Sequence, residues 1–254
     1  MRILALLALL CFVAPALAQK PPAKFLSVKI LRVAKEAEEL VGVTVDLTGT
    51  ELPDTYEVPG QFVQLKVDDA DKPGFFALAN GPDGSARWDL LLKTGSPLAD
   101  KVAALKAGDS LQITPAQGTG FPIAEHKGQD MIVLAMGSGI SAGRALIENA
   151  LAHRSDEGAI TLIVGGKTPA HLAYGALMDG WSRKGVRVIQ CITTTDVQPP
   201  WTGATGFVQN QLTRDMLNTH ATAVYVVGSP EMVQGTTQKL VELGPAGMKP
   251  LTNF

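Results

Sequence analysis

The chain has 254 residues, 46% hydrophobic and 18% charged, with 22 basic against 24 acidic side chains. That length allows one or two domains with a sizeable core, and that composition belongs to a folded α/β protein rather than a disordered one. A formal charge of −2 gives no basis for a nucleic-acid partner or an anionic membrane surface.

Residues 1–18 read as a secretory signal peptide. Arg2 precedes the apolar run 3–13, and Ala16-Leu17-Ala18 before Gln19 is a small-x-small cleavage site. The run is too short for a comfortable transmembrane helix, so no stable membrane anchor is expected. There is no twin-arginine pair, which predicts export of an unfolded, cofactor-free chain to the periplasm or the medium. A mis-set start codon would instead make the leader spurious and the protein cytoplasmic. Beyond the leader only Cys191 remains, which leaves no intramolecular disulfide, cysteine-bound zinc or iron–sulfur cluster.

From residue 25 to about 122 the pattern is β-rich. Strands are predicted over 25–34, 40–47, 61–67, 74–79, 87–93 and 110–115, punctuated by Pro59-Gly60, Asp71-Lys72-Pro73, Gly81-Pro82-Asp83-Gly84 and Gly108-Asp109. Residues 96–105 are predicted as the one short helix of this half. Six short strands at such intervals predict a small closed antiparallel barrel over residues 19–124. From residue 125 the pattern alternates. Strands 131–135, 160–164, 186–192 and 222–227 are followed by helices from 141, over 170–183, over 207–217 and over 231–243. Such alternation predicts a doubly wound α/β domain with a parallel sheet over residues 125–254.

The second half opens with Met131-Ile132-Val133-Leu134-Ala135, a buried-strand run that breaks at Gly137-Ser138-Gly139 and resumes at helical spacing. Strand, glycine turn and helix make an anion site, because glycine lets backbone approach a ligand while free helix-start N–H groups point at it. A dinucleotide pyrophosphate is the expected guest; a tight connection that binds nothing is the alternative. The histidines, His126, His153, His171 and His220, have no metal-ligand spacing, and Gly137-Ser138-Gly139 is not a Gly-x-Ser-x-Gly nucleophile elbow.

Several segments together carry a family resemblance. In order they are Gly118-Thr119-Gly120-Phe121, Gly137-Ser138-Gly139, Gly165-Gly166-Lys167-Thr168-Pro169, the run from Trp201 to Val208, and Val227-Gly228-Ser229-Pro230-Glu231-Met232, with Phe254 at the end. The whole mature chain resembles the ferredoxin–NADP reductase superfamily, and within it the kiwi-fruit-protein-like branch. The resemblance implies an antiparallel Greek-key barrel that binds FAD, followed by an NAD(P)-binding domain. It implies a flavin-dependent oxidoreductase that passes hydride from NADH or NADPH to flavin and on to an unknown acceptor, with no catalytic acid–base residue or metal.

In the family, Arg-x-Tyr-Ser on the fourth barrel strand binds the flavin. Here Gly74 replaces the arginine, Phe76 keeps an aromatic plate, Ala77 replaces the serine, and Leu78 follows. The alternative for Phe76 is plain barrel packing. Thr94-Gly95-Ser96 resembles the family's second flavin segment. By the same resemblance Gly137, Ser138 and Gly139 hold the nicotinamide nucleotide. Gly228, Ser229 and Glu231 border the place where nicotinamide meets flavin, and Phe254 covers the flavin's other face or is buried against the last strand. Lys167 stands where a cation would favour the 2′-phosphate of NADP, or is a solvated loop lysine. Tyr174 either covers adenine or packs. The missing arginine, the missing serine and the leader together leave open an exported, non-catalytic binding or scaffolding protein of the same fold.

Overall fold

The computed structural model describes residues 23–153, 155, 158–217 and 221–253. The leader at 1–18 and the role expected of Phe254 lie outside the described residues.

The first unit contains β1 (Leu26–Ala37), β2 (Leu40–Asp46), β3 (Phe62–Lys66), β4 (Gly74–Ala77), β5 (Arg87–Lys93), α1 (Pro97–Ala103) and β6 (Ser110–Ile113). All its strand pairs are antiparallel, in the order β4-β3-β6-β1-β2-β5. The two ends of the sheet meet at the Leu78–Leu90 bridge and at the Ala79 N–H, which donates to Asp89 O at 2.8 Å. The curled sheet is therefore barrel-like, as its turn-punctuated alternation predicts. On β5, Trp88, Leu90 and Leu92 face inward and pack with Val43, Val45, Val63, Leu65, Leu111 and Ile113.

The second unit contains β7 (Asp130–Met136), α2 (Ile140–Ala152), β8 (Ile160–Gly166), α3 (Gly175–Arg183), β9 (Val186–Ile192), β10 (Ala204–Thr205), α4 (Arg214–Leu217), β11 (Thr222–Val227) and α5 (Pro230–Leu243). Its sheet is parallel, in the order β10-β9-β8-β7-β11. The chain steps outward from β7 through β8 and β9, then returns to β11 on the other side of β7. That reversal opens a crevice beyond the carboxyl ends of β7 and β11, the place where open α/β sheets bind ligands.

Two predicted helices differ. The helix expected over 170–183 begins only at Gly175, because Pro169–His171 forms a 3-10 turn and Tyr174 is left-handed (φ 64°). A side chain in that conformation interrupts any α-helix. The helix expected over 207–217 splits into a 3-10 turn at Val208–Gln211 and the short α4. Leu212 between them is extended and 4% exposed, so burying its side chain decides against helical continuity. Strand β10 was not predicted; it pairs with Cys191 and Ile192. Cys191 is buried, and burial pushes its thiol up to about 11, as for an inert core cysteine.

One apolar cluster crosses between the two units. Ala37, Leu40, Leu91 and Phe121 pack with Val133, Ala135, Leu146 and Tyr225, and the Phe121 and Tyr225 rings meet edge-on at 5.5 Å. Among the described residues, no helix is long and apolar enough to cross a membrane.

Candidate functional site

At the end of β7 the chain turns through Gly137–Gly139 in a single 3-10 turn and enters α2 directly. Gly137 has φ +55°, and a Cβ placed on it would meet nothing within 4 Å, so the outer side of the turn is open. Gly139 faces the other way. A Cβ there would lie 2.5 Å from Val227 O, so the turn touches the end of β11 backbone to backbone. No side chain caps α2, and its Ile140 N–H donates back to Gly137 O, so the 3-10 turn itself forms the start of the helix. Across the crevice, Gly228 and Ser229 lead into α5. The Ser229 hydroxyl accepts from the Met232 N–H at 3.4 Å, and its hydrogen bond holds the exposed Glu231 carboxyl below its usual range. The structure thus sets the Gly137–Gly139 turn against the end of β11, from which Gly228, Ser229 and Glu231 follow directly.

Lys167 lies just beyond β8 at the rim of a cavity of about 220 Å³. Met136, Gly137, Gly166 and His171 line its second-domain wall, and Glu38, Glu39, Leu40 and Lys93 line its barrel wall. The hairpin between β1 and β2 reaches this place because the Glu38 N–H donates to Ala170 O at 2.7 Å. Glu38 pairs with Lys35 at 2.7 Å and Glu39 with Lys93 at 3.4 Å. The sequence offers no acid after β8 to grip a ribose hydroxyl. The fold brings two from the other domain, a pairing that no local spacing announces.

On the barrel side, β4 turns its residues alternately. Phe76 pairs with Val63 and packs half-buried against the barrel core. Its ring closes over Gly74: a Cβ at that position would lie 2.8 Å from Phe76 Cε2 and 2.9 Å from Leu98 Cδ2. Ala77 faces the interdomain cluster, and Leu78 is fully buried. Phe75 is 66% exposed and meets Phe62 edge-on at 5.8 Å. Thr94-Gly95-Ser96 precedes α1, as the resemblance implies. The Gly95 N–H donates to Asp100 Oδ1 at 2.7 Å, and the Ser96 hydroxyl caps the helix by accepting from Ala99 N–H at 3.3 Å. Asn253, next to the undescribed Phe254, donates through Nδ2 to Gly60 O at 2.7 Å, which brings the end of the described chain to the barrel.

These surfaces fit a dinucleotide on the Gly137–Gly139 turn, with open backbone at Gly137 and a cavity shared with the barrel beside it. They fit a flavin ring on the barrel less completely. The backbone and the aromatic residue are there, but Gly74 supplies no cation for a pyrophosphate, and part of the helix-start donor set at α1 is taken by Asp100 and Ser96.

A second residue set, of which only Tyr174 was singled out from sequence, centres on Arg144; there Tyr174 packs, 7% exposed. Arg144, on α2, is 14% exposed and donates from Nη2 to Asp89 Oδ2 of β5 at 2.8 Å and from Nε to Glu148 Oε1 at 2.7 Å. Burial alone would lower its pKa, but the two carboxylates outweigh that and raise it, so it is a fixed cation. Asp89 also accepts from the Thr44 hydroxyl at 2.6 Å, and Glu148 Oε2 accepts from the Gly81 N–H at 3.1 Å. Tyr174 lies with its ring centroid 5.2 Å from the guanidinium, and burial pushes its phenol up to about 12.

Residues 133–238 match the family model of the oxidoreductase NAD-binding domain. The chain is 29% identical over 226 residues to the fruit protein pKIWI502 of Actinidia deliciosa, covering 82% of this chain and 70% of that one. It is 28% identical over 194 residues to sulfhydrogenase 1 subunit gamma of Pyrococcus furiosus, covering 73% of this chain and 64% of that one, so about a third of that relative lies outside the match. Among solved structures, a ferredoxin NADP+ reductase from Neisseria gonorrhoeae with bound FAD and NADP superimposes with a TM-score of 0.73. It is 22% identical, over 91% of this chain and all of that one. The Amycolatopsis cytochrome P450 reductase GcoB superimposes with a TM-score of 0.77 at 20% identity, over 91% of this chain and 70% of that one. With a barrel-like antiparallel sheet leading into a parallel nucleotide sheet, the chain has the two-domain fold of these ferredoxin–NADP reductase-like structures, and its second half matches the oxidoreductase NAD-binding domain.

Proposed function

We propose that the protein is a flavin-dependent oxidoreductase that takes hydride from NAD(P)H and passes electrons to an acceptor. The observation that carries this reading is the glycine turn, which opens at the switch point of a matched NAD-binding sheet and faces the barrel. Bound FAD supplies the hydride-accepting and electron-passing chemistry; the protein supplies binding and orientation. Gly137, Ser138 and Gly139 hold the dinucleotide phosphates through backbone N–H groups. Gly228, Ser229 and Glu231 form the opposite wall of the crevice. Thr94, Gly95 and Ser96, with Ala77 and the half-exposed Phe76, are the barrel residues left to hold the flavin; Leu78, expected among them, is fully buried in the barrel core and its N–H donates to Gln61 O at 3.1 Å. Their lack of acid–base pairs is consistent with hydride chemistry, which needs alignment more than proton transfer.

Lys167 at the cavity rim supports NADPH as the donor. The two barrel carboxylates nearby are paired with Lys35 and Lys93, which leaves the Lys167 charge to meet a 2′-phosphate. The test is steady-state oxidation of NADPH and NADH with ferricyanide as artificial acceptor. Wild-type protein is expected to turn over both and to prefer NADPH. Lys167→Ala is expected to raise KM for NADPH about tenfold, the worth of one charge-assisted contact, with KM for NADH within twofold. Equal changes for both donors would make Lys167 a solvated loop residue. No turnover by the FAD-supplemented protein would sink the oxidoreductase reading itself.

The apolar run 3–13 and Ala16-Leu17-Ala18 support export from the cytoplasm. Cell fractionation tests it: a cytoplasmic protein with its leader intact would refute export.

A further inference from the structure

Resting on the reading above, we propose that Arg144 is a positioning residue that sets the dinucleotide turn against the barrel, through its paired contacts to Asp89 and Glu148. Hydride transfer needs reacting atoms about 3–3.5 Å apart in a fixed orientation, and a misplacement of about 1 Å costs roughly a hundredfold in rate. In this chain the two halves of such a site lie on different sheets, so something must fix one sheet on the other.

The apolar cluster between them resists separation, but it is non-directional and tolerates sliding. The Arg144 set is directional. Arg144 stands in the second turn of α2, which starts at Ile140 directly after the glycine turn, so any motion of its Cα carries that turn with it. Its guanidinium grips Asp89 in the middle of β5, the strand that also abuts the glycine turn. Glu148, one helical turn further, binds Arg144 through one oxygen and the Gly81 N–H through the other. The helix is thus tied to the barrel at two points, Asp89 and Gly81.

The ties are themselves fixed. Thr44 holds Asp89 from β2, and Asn80 Oδ1 accepts from the Asp89 N–H at 2.9 Å. Asn80 O accepts from the Tyr56 hydroxyl at 2.7 Å. Tyr174, in its left-handed conformation at the start of α3, presses its ring on the guanidinium. A side chain held at φ 64° costs energy that the surroundings must offset, and the Arg144 contact is one source of that compensation.

The test uses full-length protein carrying Arg144→Ala and, as a milder second variant, Asp89→Asn. Two measurements are made on each: hydrogen exchange at the Ile140 amide, which donates to Gly137 O across the turn, without ligand, and flavin reduction by NADPH in FAD-loaded protein by stopped flow. The expected result is faster exchange at the turn and a reduction rate at least tenfold slower, with the NADPH Kd within twofold of wild type. Asp89→Asn, which keeps the helix tied through Glu148 and Gly81, is expected to give a smaller loss of the same kind.

Unchanged exchange and rate in both variants would overturn the proposal. So would affinity and rate falling in parallel with Tm, the mark of a merely structural role. If wild-type protein holds no FAD, the oxidoreductase reading fails. The exchange measurement then decides the positioning role alone, faster exchange supporting it and unchanged exchange overturning it.

Discussion

Gly139→Ala is expected to cripple nucleotide binding and destabilise the second domain together. The new Cβ would sit 2.5 Å from Val227 O and 3.0 Å from Val227 C, and both are backbone atoms at the end of β11, which is paired along its length with β7 and cannot swing aside as a side chain can. The turn must move off β11, at a cost of about 1–3 kcal/mol by analogy with overpacked cores. A shift of that kind also opens the crevice whose width the backbone contact sets. NADP+ affinity measured by calorimetry should fall at least tenfold, and Tm by several degrees for a chain of this size. Gly137→Ala is the instructive contrast. Nothing lies within 4 Å of its Cβ, so the cost is confined to holding alanine at φ +55°, about 1–2 kcal/mol. If Gly139→Ala bound NADP+ as wild type does, the turn would not be the nucleotide seat.

Gly74→Arg is expected to tighten FAD binding by about tenfold. A guanidinium at the pyrophosphate would add a charge-assisted contact worth about 1.5–3 kcal/mol, tenfold or more in affinity. Against that stands the space at Gly74, where the Phe76 ring and the Leu98 methyl now sit. Both are ends of side chains, and moving one off its rotamer costs about 0.5–1.5 kcal/mol. The contact therefore wins by a narrow margin. Fluorescence titration of apo-protein with FAD reads the affinity, and a thermal melt reads the cost. Unchanged affinity with a lowered Tm would mean that Phe76 and Leu98 have closed the arginine's place for good.

Much of this was legible in the sequence because it is local. The strand over 87–93 and the strand over 222–227 were predicted to the residue, since alternation and continuous apolar runs are properties of adjacent positions. The glycine turn was legible for the same reason. What failed was set by distant partners. The α3 boundary depends on Tyr174, whose left-handed backbone accompanies its packing on Arg144, thirty positions away in sequence. Asp89 and Arg144 are 55 positions apart, and each reads locally as an ordinary surface charge. Glu38 and Glu39 look like hairpin residues and become cavity residues only because their hairpin docks on Ala170. At β4, alternation says that one of Phe75 and Phe76 faces inward but not which. The register with Val63 decides for Phe76.

The most direct measurement is the visible absorption spectrum of the purified protein after incubation with FAD and desalting. The flavin-dependent account predicts a retained flavin band that bleaches when NADPH is added without oxygen. A colourless protein, or a flavin band that neither NADPH nor NADH bleaches, would contradict it.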